Sequence, residues 1–191
     1  MNFKNNPFFS FFIIVVLIVL SSCASTKAAR DTRPYAYLTD KSKFFLLPPG
    51  DIEKPIDAYQ FISASYGGQE FLFNAWVKAD ETGMDIALFN ELGANGGELS
   101  YRDGVVSFSS PIFPASMKPE YIVADFQLCY YDSAKLRRAL ASCGLTLESS
   151  ETSRKVLKGK TVIVEIEILE NSVKLVNHLR GYSYTLEGSL E

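Results

Sequence analysis

PEYIVADFQLCYYDSAKLRRALASCG, residues 119–144, interrupts a chain that otherwise alternates, and its reading sets the fold. Ile122, Phe126, Cys129 and Tyr130 recur at the three-to-four-residue spacing of one helix face. Pro119 suits the first helical position, where its missing N–H is not needed, and Glu120 complements the positive end of the helix. Asp132 or Ser133 then caps a second helix running through Ser142. Leu136, Ala139, Leu140 and Cys143 fall on one side of it, and Lys135 and Arg138 on the other. Gly144 stops that helix, because a residue without Cβ adopts the left-handed terminal conformation readily.

On both sides of this helical pair the period is two. Upstream, residues 58–66 place Tyr59, Phe61, Ser63 and Ser65 on one face. Gly67-Gly68 is a hairpin turn, and residues 69–79 put Phe71, Phe73, Ala75 and Val77 opposite Leu72, Asn74, Trp76 and Lys78. Residues 84–90, 98–102 and 105–109 continue the meander through the loop 91–97 and the turn Asp103-Gly104. Downstream, strands are expected at 145–149, 153–158, 161–169, 172–178 and 182–187. The order strands, two helices, strands gives an α+β fold: a curved antiparallel sheet with a two-helix lid between two strand groups. Alternation alone leaves open which face of each strand points inward.

The chain holds 14 Phe and 10 Tyr in 191 residues. A single sheet has two faces, and two short helices cover only one. If the sheet curls, its concave face and the helices can enclose an apolar space of the kind that takes apolar ligands. Phe71, Phe73, Trp76, Ile122, Phe126 and Leu140 are the expected lining; a simply filled core is the alternative. Asp125 is a charge among apolar helix neighbours, expected to serve as a structural hydrogen-bonding carboxylate.

The N-terminal end has a different character. Phe8 to Leu20 is apolar apart from Ser10 and follows a single basic residue, Lys4. That run falls short of the roughly 18 residues needed to cross a bilayer, but it suits the core of an export signal. Leu20-Ser21-Ser22-Cys23 resembles the bacterial lipobox, in which small residues admit the signal peptidase and the cysteine thiol receives diacylglycerol. The expected organisation is a lipoprotein signal peptide at 1–22, a lipidated N-terminus and tether at 23–43, and one domain at 44–191. Ala24 stands where an Asp would favour retention in the inner membrane. The expected location is therefore the outer membrane, lipid-anchored and facing the periplasm.

Composition excludes several functions. The net charge is −3 with no basic run, so nucleic acid is not an expected partner. One histidine, His178, is present, which leaves no His cluster for a metal. A triad using His178 is disfavoured against a packed or surface imidazole. Phosphate-loop, zinc-ligand and dinucleotide motifs are absent from the sequence, and no cofactor is expected. Glu165 and Glu167 share a strand face, as paired carboxylates might, and read as the solvated carboxylates of a sheet edge. Cys129 and Cys143 could form a disulfide in an oxidising compartment or remain two small thiols.

Residues 119–128, with Leu92-Gly93, Leu99-Ser100-Tyr101-Arg102-Asp103-Gly104, Arg154, Asn177 and Gly181-Tyr182, resemble the hallmarks of a bacterial outer-membrane lipoprotein family of unknown function. Its members are often encoded beside aryl-polyene pigment genes. That family usually follows the first helix with Trp-Pro, where Tyr131-Asp132 stands here. It in turn resembles the LolA/LolB-type lipoprotein carriers. Asn90-Glu91-Leu92-Gly93, Glu98-Leu99 and Gly104-Val105 are similar to the receptor's loop-and-strand segment. The resemblance implies a half-open β-barrel lidded by helices, with Leu92 as an exposed, membrane-docking side chain. It also implies a membrane lipid or acyl-chain ligand and a periplasmic carrier protein as partner. The expected function is binding and passing on an acyl chain, a lipid or a lipidated cargo. The alternative is a non-catalytic envelope docking module with a filled core, and an acyl hydrolase or transferase is a minor third.

Overall fold

A computed structural model of the protein describes residues 31–188. The expected signal peptide, Cys23 and most of the expected tether lie outside them. The large sheet is built from β3 (Ile56–Tyr66), β4 (Gln69–Asp80), β5 (Gly83–Phe89), β6 (Asn95–Arg102) and β7 (Val105–Ser109) before the helices. After them come β8 (Thr146–Ser149), β9 (Ser153–Lys158), β10 (Thr161–Leu169), β11 (Ser172–Asn177) and β12 (Tyr182–Glu187). The two helices are α1 (Glu120–Tyr130) and α2 (Ser133–Ser142). Sequence reading had placed both helices and the bounds of β7, β9, β10 and β12. Asp132 is the cap of α2, its carboxylate accepting from the Lys135 N–H at 2.8 Å, and Gly144 has φ +78°.

The ten strands are ordered β7-β6-β5-β4-β3-β12-β11-β10-β9-β8, all neighbours antiparallel, in a curved sheet that does not close. The first and last strands of this sheet, β3 and β12, meet at its centre. The middle of the chain therefore has to travel from one edge, β7, to the other, β8. The linking segment is the helical pair, so connectivity alone obliges the helices to lie across a face. Their apolar sides choose the concave one: Leu128, Leu136 and Leu140 are fully buried, in one core with Val156, Val164, Ile166, Val173 and Leu175. Truncating Leu140 to alanine is expected to destabilise the fold by about 2–5 kcal/mol through lost burial and a cavity. Urea unfolding of the exported, unlipidated chain measures this.

One expectation is corrected at the N-terminal side. The tether was expected through residue 43, yet β1 (Tyr35–Tyr37) and β2 (Lys43–Phe45) form an antiparallel hairpin pairing Ala36 with Phe44. Ala36, Leu38 and Phe44 are buried in the core, and the compact unit begins at Arg33. Phe44–Leu47, stopped by Pro48-Pro49-Gly50, reads from sequence as a short strand or a covering segment, and β2 overlaps it; β1, with one inward side chain, carries too little periodicity to register. The segment after β2 is held by polar side chains that periodicity also misses. Buried Gln127 mimics a strand neighbour: its Oε1 accepts from Leu47 N–H at 2.9 Å and its Nε2 donates to Leu47 C=O at 2.8 Å. The Tyr101 hydroxyl donates to the same carbonyl at 3.0 Å.

Candidate functional site

Strand pairing settles which side chains face the helices. Ala58 lies opposite Val77, Gln60 opposite Ala75 and Ile62 opposite Phe73, and directly paired residues share a face. Ala58, Gln60, Ala75 and Val77 are buried, so this is the inner face. Phe73 belongs to it, as expected. Tyr59, Phe61 and Trp76 do not: they lie on the outer face, 58%, 38% and 39% exposed. Trp76, expected among the lining, instead donates its indole N–H to Asp57 at 2.9 Å on that outer face.

The inner face is unevenly covered. Under α2 it is sealed, and Leu140, another expected lining residue, is a packing residue there. Toward the Gly67-Gly68 turn, coverage thins. Ile62, Leu88, Phe108, Ile122 and Tyr184 pack against the core yet remain partly exposed, as does Phe73. Phe113, in the connection between β7 and α1, closes over this end, its ring centroid 5.7 Å from Phe73 and 6.1 Å from Phe108. Phe126 is buried, its ring centroid 4.8 Å from that of Tyr130 in a tilted pair. Phe71 is 39% exposed, near the end of β4, where residues 69–73 have β3 as their only strand partner. Of the expected set, then, Phe71, Phe73, Ile122 and Phe126 are on β4 and α1, which bound the half-covered end; Trp76, though also on β4, faces outward, and Leu140 is on α2. Phe113, Phe108, Ile62 and Tyr184 were not singled out from sequence, because Phe113 sits in a loop without periodicity.

The loop between β5 and β6 emerges at the same end of the sheet as the Gly67-Gly68 turn. Its tip is tightly ordered: Asn90 Oδ1 accepts from Leu92 N–H at 3.0 Å and Ala94 N–H at 2.8 Å, and Asn90 N–H donates to Ala94 C=O at 2.9 Å. This cage holds Leu92 out into solvent at 93% exposure, the most exposed large apolar side chain described.

A polar network fixes α1 to the sheet. The Tyr182 hydroxyl donates to Asp125 Oδ2 at 2.6 Å, and Asn177 Nδ2 donates to the Tyr182 oxygen at 3.1 Å. Burial raises the Asp125 carboxyl to about 7, against the opposing pull of the Tyr182 hydrogen bond and the Arg180 charge. The structural role expected of Asp125 is the one this geometry gives it. Arg154, buried at the other end of α1, donates Nη1 to Leu128 C=O at 3.0 Å and Tyr131 C=O at 2.8 Å, and Nη2 to Glu53 at 2.9 Å. It thereby caps the negative end of the helix from a neighbouring strand.

The other chemistry-bearing residues are dispersed. His178 is on an exposed turn with Nε2 3.4 Å from Glu165. Glu165 also meets Lys155 Nζ at 2.8 Å, and these partners hold its carboxyl below the usual range. Glu165 and Glu167 lie within the sheet on β10, not at its edge. Cys129 and Cys143 are free thiols, and burial pushes both upward, away from the reactive thiolate. Two shallow depressions, of about 270 Å³ and about 180 Å³, are lined by residues outside the expected set.

The model of one family, described as protein of unknown function (DUF3261), matches residues 57–189, well over half of the chain. The chain belongs to the DUF3261 family. The matched span begins in β3 and includes every other strand of the large sheet, both helices, Leu92, Asp125 and Arg154, and excludes the β1–β2 hairpin. No curated protein matches this DUF3261 chain at a significant level.

Proposed function

We propose that this DUF3261 protein is an outer-membrane-anchored lipoprotein that binds an acyl chain, as a lipid or part of a lipidated cargo, and passes it on. Cys23 is the lipidated residue in this reading. The observation that carries it is the half-covered end of the concave face. Ile62, Phe73, Leu88, Phe108, Ile122 and Tyr184 stay partly exposed there, and Phe113 packs against Phe73 and Phe108. An acyl chain lying on these side chains would replace the Phe113 ring and complete their burial, each methylene contributing about 0.8 kcal/mol. The ligand is held by apolar burial, without a cofactor. Leu92, at the same end, would enter the bilayer during delivery, and a periplasmic carrier protein would be the donor or acceptor.

Organic extraction of the exported, unlipidated Cys23→Ala chain, followed by mass spectrometry, tests the reading. A stoichiometric acyl-bearing species supports it; a protein that is empty and also ignores fluorescent fatty-acid probes removes it. Leu92→Glu is expected to slow transfer of such a probe to phosphatidylcholine vesicles about tenfold or more while leaving the unfolding curve unchanged, because a buried leucine contributes about 1.5–3 kcal/mol. Unchanged transfer would remove the role of that loop.

The sealed region under α2 favours a second reading, an envelope docking module whose core is filled. Under it, the half-covered end receives a side chain of a protein partner, and no lipid co-purifies.

A further inference from the structure

The depression between the β1–β2 hairpin and α2 differs in charge from the rest of this acidic chain. It holds about 270 Å³ and is lined by Arg33, Lys135 and Arg138 with Phe45, Leu47, Ala139 and Ser142; among the described residues no acidic side chain lines it. Beside it, Lys43 Nζ lies 3.7 Å from the centroid of the Tyr35 ring and 4.6 Å from that of Phe45, and the Arg33 guanidinium carbon lies 4.9 Å from the Phe45 centroid. Lys135 has one carboxylate partner, Asp51 at 3.1 Å. Arg138 donates through Nε to Ala134 C=O of its own helix at 3.3 Å, and its terminal nitrogens have no partner among the described residues. Four cations thus gather on a molecule whose net charge is −3.

We propose that this depression binds the phosphate of an anionic phospholipid headgroup. The Arg138 fork, beside the Lys135 charge, would hold the phosphate oxygens, a geometry to which guanidinium is suited. Phe45, Leu47 and Ala139 would meet the glyceryl and first methylene groups. The apolar half of the lining is what distinguishes a headgroup from free phosphate, which offers nothing to cover it. The volume, below the roughly 300–1,000 Å³ of sites that enclose whole ligands, fits a headgroup and not an acyl chain. Tyr35 and Tyr37, 40% and 38% exposed on the same hairpin, are the amphipathic aromatics that favour a membrane interface. Delivery of this site to a bilayer rests on the lipoprotein reading: nine residues, 24–32, separate Cys23 from Arg33, a length of chain that reaches at most about 35 Å. The chemistry of the depression does not depend on that reading.

The test is co-sedimentation of the unlipidated Cys23→Ala chain with vesicles of equimolar phosphatidylglycerol and phosphatidylcholine, against phosphatidylcholine alone. Binding to the anionic vesicles only is expected. Arg138→Glu should weaken it about 25-fold, since one cation at an anionic surface contributes about fivefold and its reversal about fivefold again. Arg138→Lys, which keeps the charge but not the planar fork, should fall between the parent and that variant. Equal binding to neutral vesicles, or undiminished binding of Arg138→Glu, overturns the proposal, and displacement by millimolar inorganic phosphate alone overturns the assignment to a headgroup. Acyl-probe transfer to neutral vesicles should be untouched by Arg138→Glu, which separates failure here from failure of the carrier reading.

Discussion

Arg154→Met should destabilise the protein by about 2–4 kcal/mol, lowering the thermal midpoint by roughly 5–15 °C. The side chain is 4% exposed and joins three places distant in sequence: the end of α1, the extended residue after it, and Glu53. Methionine fills similar space but cannot donate, so the carbonyls of Leu128 and Tyr131 lose their partner in the interior, at about 1–3 kcal/mol each. Opposing this, the variant no longer buries a guanidinium whose Nε has no hydrogen-bond partner. Its ion pair with Glu53 weighs little, because that carboxylate is 54% exposed. Orphaned carbonyls therefore decide the sign. A variant as stable as the parent in urea unfolding would mean that burying the charge costs as much as the carbonyl bonds return. Arg154→Lys should fall between the two, since one ammonium cannot reach all three acceptors.

Stability should fall as pH rises from about 4 to about 7, and Asp125 should be the cause. In the unfolded chain this carboxyl ionises near 3.8, whereas burial raises it to about 7 in the fold. Between those values the folded state holds a proton that the unfolded state has released. The stabilising contribution is complete below 3.8 and is lost as pH rises through 7, on the order of 4 kcal/mol. The groups near Asp125 include the Tyr182 hydroxyl and the Arg180 charge, which pull its carboxyl down, and the Cys129 thiol and Tyr184 hydroxyl, both pushed upward by burial and neutral throughout this range. Asp125→Asn keeps an acceptor for Tyr182 and carries no charge. It should flatten this part of the profile and be more stable than the parent at pH 8. Asp80 and Glu165 act oppositely, being held below their ordinary values, so their contributions are lost only at more acid pH. Parallel pH profiles for Asp125→Asn and the parent would refute the assignment.

The half-covered site was only partly legible in the sequence. Phe73, Ile122 and Phe126 were found because large apolar residues on periodic elements stand out. Trp76 misled for the same reason: its size suggested the interior, while the inner positions beside it are Ala75, Val77 and Ala79. Small residues suit that part of the concave face because the 3₁₀ turn Pro49–Asp51 packs directly on β4 and β5. A bulge in β10 between Val162 and Val164 similarly buries both Ile163 and Val164, which simple alternation assigns to opposite faces. Phe113 gave no signal, since a loop residue has no period to violate.

Local chemistry was enough for the sequence to determine the α+β order of elements, the caps of α2 and the turns. Asp132 accepts from a backbone N–H three residues on, and Asp103 and Gly104 adopt the positive φ values of a tight hairpin. These features depend on neighbours within a few residues. The tertiary structure alone decided that β3 and β12 adjoin, that the helices therefore cross from edge to edge, and which face of each strand they cover. It also decided that Arg154, Gln127 and Asp125 would be interior. Each of those outcomes depends on pairing between segments tens of residues apart, and a strand's alternation is equally compatible with either of its two faces until a partner fixes the register.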